Sequence, residues 1–148
     1  MLQGHYIDVI LARFNMSDVH PVSMPLHKMI KLNSSPDLMA PTIEVPYAKA
    51  ISSLMHVALS TRPDLAFAIQ HLSQFITSYR AEHWTAIKHV LRYLKGSCDS
   101  DITFTRDASL DLEIFIDSDY TNRTDALSIN GYVAILGGGA IAWSSKKQ

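Results

Sequence analysis

The chain has 148 residues, 47% of them apolar, and a formal net charge of −1. That size allows one domain or two small ones with a core of modest stability, and the near-zero charge gives no global attraction to nucleic acid or acidic surfaces. Cys98 is the only cysteine, which excludes an internal disulfide and leaves any zinc site to histidines and carboxylates, and no apolar run reaches the roughly 18 residues of a membrane span.

The N-terminus, from Met1 to Asp8, lacks the basic start and apolar stretch of a signal peptide, so cytosol or nucleus is the expected compartment. Tyr6, Ile7, Ile10, Leu11 and Phe14 recur at helical spacing and predict a short helix over 5–15. Pro21 and Pro25 break that pattern, and residues 26–46, with Pro36, Pro41 and Pro46, read as an extended connector. A second helix is predicted over 47–59, with Ala50, Ile51, Leu54, Met55, Ala58 and Leu59 as its apolar face. Pro63 and Asp64 suit the first turn of a third helix over 64–78, which would bury Leu65, Ala68, Ile69, Leu72, Phe75 and Ile76. A fourth helix over 81–95 buries Trp84, Ile87, Val90, Leu91 and Leu94, and Gly96 ends it.

After Gly96 the apolar period changes from helical to strand-like. Strands are predicted at Ile102–Thr105, Leu112–Ile116, Ile129–Leu136 and Ala140–Ser144, the last two joined by a hairpin through Gly137, Gly138 and Gly139. That glycine run lacks the spacing and the lysine of a phosphate-binding loop. Charge changes at the same place. Residues 80–95 carry Arg80, Lys88, Arg92 and Lys95 against Glu82, whereas residues 99–125 carry eight of the 14 acidic residues. Gly96 therefore marks a module boundary.

Two groups of residues are candidates for chemistry. Lys88, Arg92 and Lys95 share one helix face by their spacing of four and three, and could contact phosphates or line an ordinary solvated face. Arg62, ahead of Pro63, could touch a phosphate, cap the helix or join a salt bridge. Asp117 and Asp119 lie at a strand end, where they read either as metal ligands or as solvated residues of an acidic turn. The seven histidines form no structural zinc spacing with Cys98, and no serine or cysteine has a recognisable base partner.

The runs from Tyr47 to Met55, Ser60 to Ala68, Leu72 to Phe75 and Glu82 to Gly96, followed by Asp117-Ser118-Asp119, Asn130-Gly131-Tyr132, Gly137 to Gly139 and Ala142 to Gln148, resemble the Pol polyprotein of Ty1/copia-type retrotransposons. The resemblance covers nearly the whole chain in the family's order. It implies an α+β fold, a small N-terminal helical segment followed by an incomplete ribonuclease H-like antiparallel sheet. Residues 1–97 would correspond to the thumb and connection region of the reverse transcriptase, and residues 98–148 to the N-terminal part of a truncated ribonuclease H-like domain. The polymerase's paired catalytic aspartates lie upstream in the family, and the next ribonuclease H acid after the Ser-Ser-Lys-Lys-Gln segment would fall beyond Gln148. The unfinished sheet would then pack on the chain's own helices, pair with a second copy or stay partly disordered.

By the same resemblance Asp117 is the first catalytic aspartate of the ribonuclease H, here vestigial, and with Asp119 forms an incomplete metal site. The implied chemistry is hydrolysis of RNA in an RNA–DNA hybrid by two divalent ions, Mg²⁺ or Mn²⁺, if the chain is part of a complete ribonuclease H; the isolated chain is expected to hold no cofactor. The chain departs from the family pattern at Ile116, where serine is usual, at Tyr120, where tryptophan is usual, and at Thr121-Asn122, where a small Ala-Gly pair is usual. The expected function is a truncated Pol fragment without independent catalysis. The alternatives are a nucleic-acid-binding module working through Arg62, Lys88, Arg92 and Lys95, and one part of an active reverse transcriptase and ribonuclease H. The expected partners are an RNA–DNA hybrid or duplex and a second copy of the chain, with no membrane.

Overall fold

A computed structural model describes residues 3–26, 44–106, 110–119 and 129–147. Most of the connector expected at 26–46 lies outside the described residues, as do Tyr120, Thr121 and Asn122.

Four α-helices form the first part: α1 (Gly4–Arg13), α2 (Tyr47–Ser60), α3 (Ala66–Ser73) and α4 (Ala81–Gly96). α1 ends in a Schellman motif. Asn15 takes the left-handed backbone at φ 54°, its amide bonds Ala12 O at 3.2 Å, and the Met16 amide bonds Leu11 O at 2.8 Å. Pro63–Leu65 form a 3-10 turn that leads into α3. The helix expected over 64–78 stops at Ser73, and 74–78 continue as turns closed by bonds such as Phe75 N to Leu72 O and Ser78 N to Phe75 O. Ser73, Thr77 and Ser78 explain the stop, since their hydroxyls compete with helical backbone bonding and Thr is β-branched; Ser73 Oγ already donates to Gln70 O. The tightened turn sets Phe75 beneath α4 instead of leaving it on a continuing helix.

One core joins the four helices: Ile7, Ile10 and Leu11 from α1, Tyr47, Ile51, Leu54 and Val57 from α2, Ile69 and Leu72 from α3, and Ile87, Val90, Leu91 and Leu94 from α4. Two expected core residues are exposed, Leu59 at 63% and Ile76 at 39%, Met55 and Trp84 pack at the core's margin, and Val57 and Tyr47 are buried in it. Tyr47 is buried to its hydroxyl, which donates to Leu72 O at 2.8 Å while its ring stacks on Tyr79 at 4.7 Å. Burial pushes that hydroxyl's pKa well up, so it stays a donor at every working pH.

The second part is a three-stranded antiparallel sheet in the order β1 (Glu113–Asp119), β2 (Ile129–Leu136), β3 (Gly139–Lys147). Gly137 and Gly138 close the β2–β3 hairpin, both at positive φ (60° and 77°), the two-residue turn whose twist matches the strands. The pairing aligns Phe115, Val133 and Trp143 across one face, and a bulge shifts the β2–β3 register at Ala134/Ile135. Ile102–Thr105 is not a strand. It runs as irregular chain beside the hairpin, where Thr105 N donates to Gly137 O at 2.9 Å, and the Phe104 ring lies so close to Gly139 that a Cβ there would meet it at 2.8 Å. β3 packs on α3 and the 3-10 turn, and Trp143 Nε1 donates to Ala58 O at 2.7 Å. The sheet is thereby fastened to the helices by its third strand, and β1 is its far edge among the described residues.

Candidate functional site

Asp117 sits on β1 opposite Gly131, and its side chain faces solvent. The strand's backbone continues through Asp119, opposite Ile129, so the two aspartates occupy alternate positions of one strand, not a turn. Phe115, on the same face of β1 as Asp117, is exposed at 55%, and Ile114 and Ile116, on the other face, at 56% and 77%. Among the described residues, no group of three His, Cys, Asp or Glu could hold a metal ion. A two-metal site needs several carboxylates gathered around ions about 4 Å apart, and the described residues gather no such group around Asp117.

The basic face of α4 is occupied differently from either sequence reading. Lys88 is exposed. Arg92 Nε donates to His20 O at 2.7 Å, Lys95 Nζ donates to Ser17 O, and His89 Nε2 donates to Met24 O at 3.0 Å. The segment after α1 thus lies along α4 as a strap, its carbonyls gripped by successive basic side chains. Pro21 rests on Gly96 so closely that a Cβ there would meet the proline's at 2.8 Å. Sequence reasoning treated 15–25 only as a break; no local signal reveals its docking, because its partners lie 65 to 78 residues away.

Arg62 is buried at 2% exposure, not presented to solvent. Its Nε and one terminal nitrogen donate to the two Asp64 oxygens at 2.9 and 2.7 Å, and its terminal nitrogens reach Ser97 O at 2.8 Å and Ser97 Oγ at 2.7 Å. Its carbon lies 5.5 Å from the centre of the Tyr93 ring, whose hydroxyl donates to Asp64 at 2.8 Å. Burial alone would weaken the guanidinium's charge, but the Asp64 carboxylate outweighs it and raises the pKa. Burial likewise pushes Asp64 up, and the hydrogen bonds from Arg62 and Tyr93 more than reverse that, holding it below the usual carboxylate range. This network ties the α2–α3 corner to the end of α4, where the chain leaves for the sheet. It is the salt-bridge reading of Arg62, and it leaves no donor of the fork facing solvent for a phosphate.

His83 is a further polar side chain enclosed by the helices, and it is fully buried. Its Nδ1 accepts the Arg80 amide at 3.0 Å across the first turn of α4, and its ring lies 4.2 Å from that of Phe75. The sequence reading passed over it as one histidine among seven. A histidine three residues after an extended residue at a helix start is the signal that could have found it. Trp84 is half-buried against the core, and His56 is exposed, edge-on to Tyr6.

No family model matches the chain, and no solved structure matches it. Curated proteins do. The chain is 38% identical to the Retrovirus-related Pol polyprotein from transposon TNT 1-94 of Nicotiana tabacum over 99% of its own length and 11% of the relative's. It is 40% identical to the Retrovirus-related Pol polyprotein from transposon RE2 of Arabidopsis thaliana, over 99% of the chain and 10% of that protein. It is also 40% identical to the Secreted RxLR effector protein 161 of Plasmopara viticola, over 70% of the chain and 74% of that protein. The chain therefore spans about a tenth of the length of the Pol relatives it matches. End-to-end similarity at this level, through both the helices and the sheet, links the chain to a segment of Ty1/copia-type retrotransposon Pol polyproteins.

Proposed function

We propose that the chain is a Pol segment joining the end of a reverse transcriptase, residues 1–97, to the first strands of a ribonuclease H domain, residues 98–148, and that it does not cleave RNA by itself. The observation that carries this reading is Asp117: a solvated carboxylate on β1, the edge strand among the described residues, with β3 on the opposite side of the sheet bonded to the helices. A hydrolytic site for an RNA–DNA hybrid needs further carboxylates arranged around that position to hold Mg²⁺ or Mn²⁺. The continuous core of the helical part supports a chain that folds without its polyprotein neighbours. So does the Plasmopara viticola relative, most of which is made of similar sequence.

The test is incubation of the purified chain with an end-labelled RNA–DNA hybrid in Mg²⁺ and in Mn²⁺, beside Asp117→Asn. No cleavage above the buffer rate is expected from either protein. Cleavage by the native chain that disappears in Asp117→Asn would overturn the reading and assign catalysis to this chain. Nucleic-acid binding along α4 is the second reading, favoured by exposed Lys88 on the same face as Arg92 and Lys95. Its signature is an affinity that falls steeply with salt and depends on Lys88.

A further inference from the structure

His83 combines complete burial with a fixed tautomer. The Arg80 amide is a donor, so Nδ1 must be the unprotonated nitrogen and Nε2 must carry the hydrogen. Nε2 is itself buried and has no hydrogen-bond partner among the described residues. The imidazole therefore holds the first turn of α4 through one acceptor lone pair, in the place where a capping box uses glutamate or glutamine. Those residues keep their acceptor as the pH falls towards 5; histidine does not. A proton on Nδ1 would point an N–H at the N–H of Arg80 and convert an attraction into a repulsion, with a charge enclosed against the Phe75 ring.

We propose that His83 is a proton-released cap: protonation of Nδ1 breaks the Arg80–His83 bond, expels the imidazole and opens the corner between α3 and α4 around Phe75. Two charged groups act on it from its own helix start, the Glu82 carboxylate 4.0 Å from Nε2 and the Arg80 guanidinium. From the α3 side it meets the Phe75 ring, with His71 edge-on beyond at 5.8 Å. Burial disfavours the charged imidazole, Glu82 opposes that and Arg80 reinforces it, and the sum lies below the ordinary histidine value. A depressed folded-state pKa means stability that is complete above the unfolded value of about 6.5 and declines as pH falls towards the folded value. The corner rests on Tyr79, which stacks on Tyr47 and donates to Val45 O at 3.4 Å, so its opening loosens the start of α2 as well.

The experiment is amide hydrogen exchange of the full chain between pH 7.5 and 5, read as protection factors so that intrinsic pH dependence is divided out. Protection at Arg80 and the following turn should fall by up to about tenfold per pH unit below pH 6.5, while amides in the middle of α2 hold. His83→Gln, which keeps an acceptor and cannot titrate, should flatten that dependence. Equal pH dependence in native and His83→Gln chains would overturn the proposal. A direct titration of the His83 ring by NMR on the native chain covers the case of a variant that fails to fold: a ring pKa at or above 6.5 overturns the proposal, and a lower one coinciding with the loss of protection supports it.

Discussion

Replacing Arg62 with alanine is the sharpest probe of how the helical part is held together. The substitution removes four hydrogen bonds, two to the Asp64 carboxylate and two to Ser97, and a guanidinium lying over Tyr93. Deleting one partner of a fully enclosed ion pair costs about 3–5 kcal/mol. Asp64 keeps 36% of its side chain in water and retains the Tyr93 hydroxyl as a donor, so solvent absorbs part of the orphaned charge. The expected loss is therefore roughly 2–3 kcal/mol, read from urea unfolding at unchanged m-value, with a fall in Tm of about 5–10 °C. Arg62→Lys keeps the charge but cannot span the carboxylate and Ser97 together, and should lose about half as much. A loss below about 0.5 kcal/mol, within the range of ordinary surface changes, would refute the structural role. Unchanged stability together with weaker, less salt-sensitive nucleic-acid binding would return Arg62 to phosphate contact.

Asp64 gives the same network an acid signature. Its depressed pKa contributes stability that is present above the ordinary carboxylate pKa of about 3.9 and is lost as pH falls through the folded value, so Arg62→Ala should flatten the acid limb of a stability profile below about pH 4. Gly96→Ala should gain helix propensity yet push Pro21 away, raising hydrogen exchange in residues 17–24 with little change in global stability; unchanged exchange there would mean that the strap does not rest on Gly96. Trp143→Phe removes the indole bond to Ala58 O and should destabilise the sheet against the helices by about 1–2 kcal/mol, seen as β3 amides exchanging before those of α2. Ile116→Lys, at a position 77% exposed, should leave stability within about 0.5 kcal/mol while reducing concentration-dependent association measured by sedimentation.

The helices were legible because each carries its own evidence. Ile87, Val90, Leu91 and Leu94 recur at helical spacing, Pro63 marks a start, and nothing distant is needed to read them. The hairpin was legible for a similar reason, since consecutive glycines supply the positive φ that its turn requires. Ile102–Thr105 misled because alternation shows that a segment could line a sheet, not that it joins a ladder; here the segment bonds the hairpin turn, through Thr105 N to Gly137 O, instead of a strand. The end of α3 was missed because Leu72, Phe75 and Ile76 keep helical spacing through the turn. Spacing of apolar residues does not register the hydroxyls of Ser73 and Ser78.

The site residues divide along the same physical line. Sequence shows a donor's charge but not which acceptor reaches it. Lys88, Arg92 and Lys95 read as one phosphate-facing row, and phosphate oxygens and peptide carbonyls satisfy such donors in the same geometry. In the folded chain the acceptors nearest to Arg92 and Lys95 are carbonyls of residues 17 and 20, delivered by a segment whose own sequence announces only a break. Arg62 had an acceptor two residues away, and the pairing needed only the corner at Pro63 to bring Asp64 back onto it. For α4 the decisive quantity is competition. A nucleic acid that uses Arg92 and Lys95 must displace the strap, whereas one that uses Lys88 alone displaces nothing, and these cases differ in salt slope by about 0.9 for each additional phosphate contact.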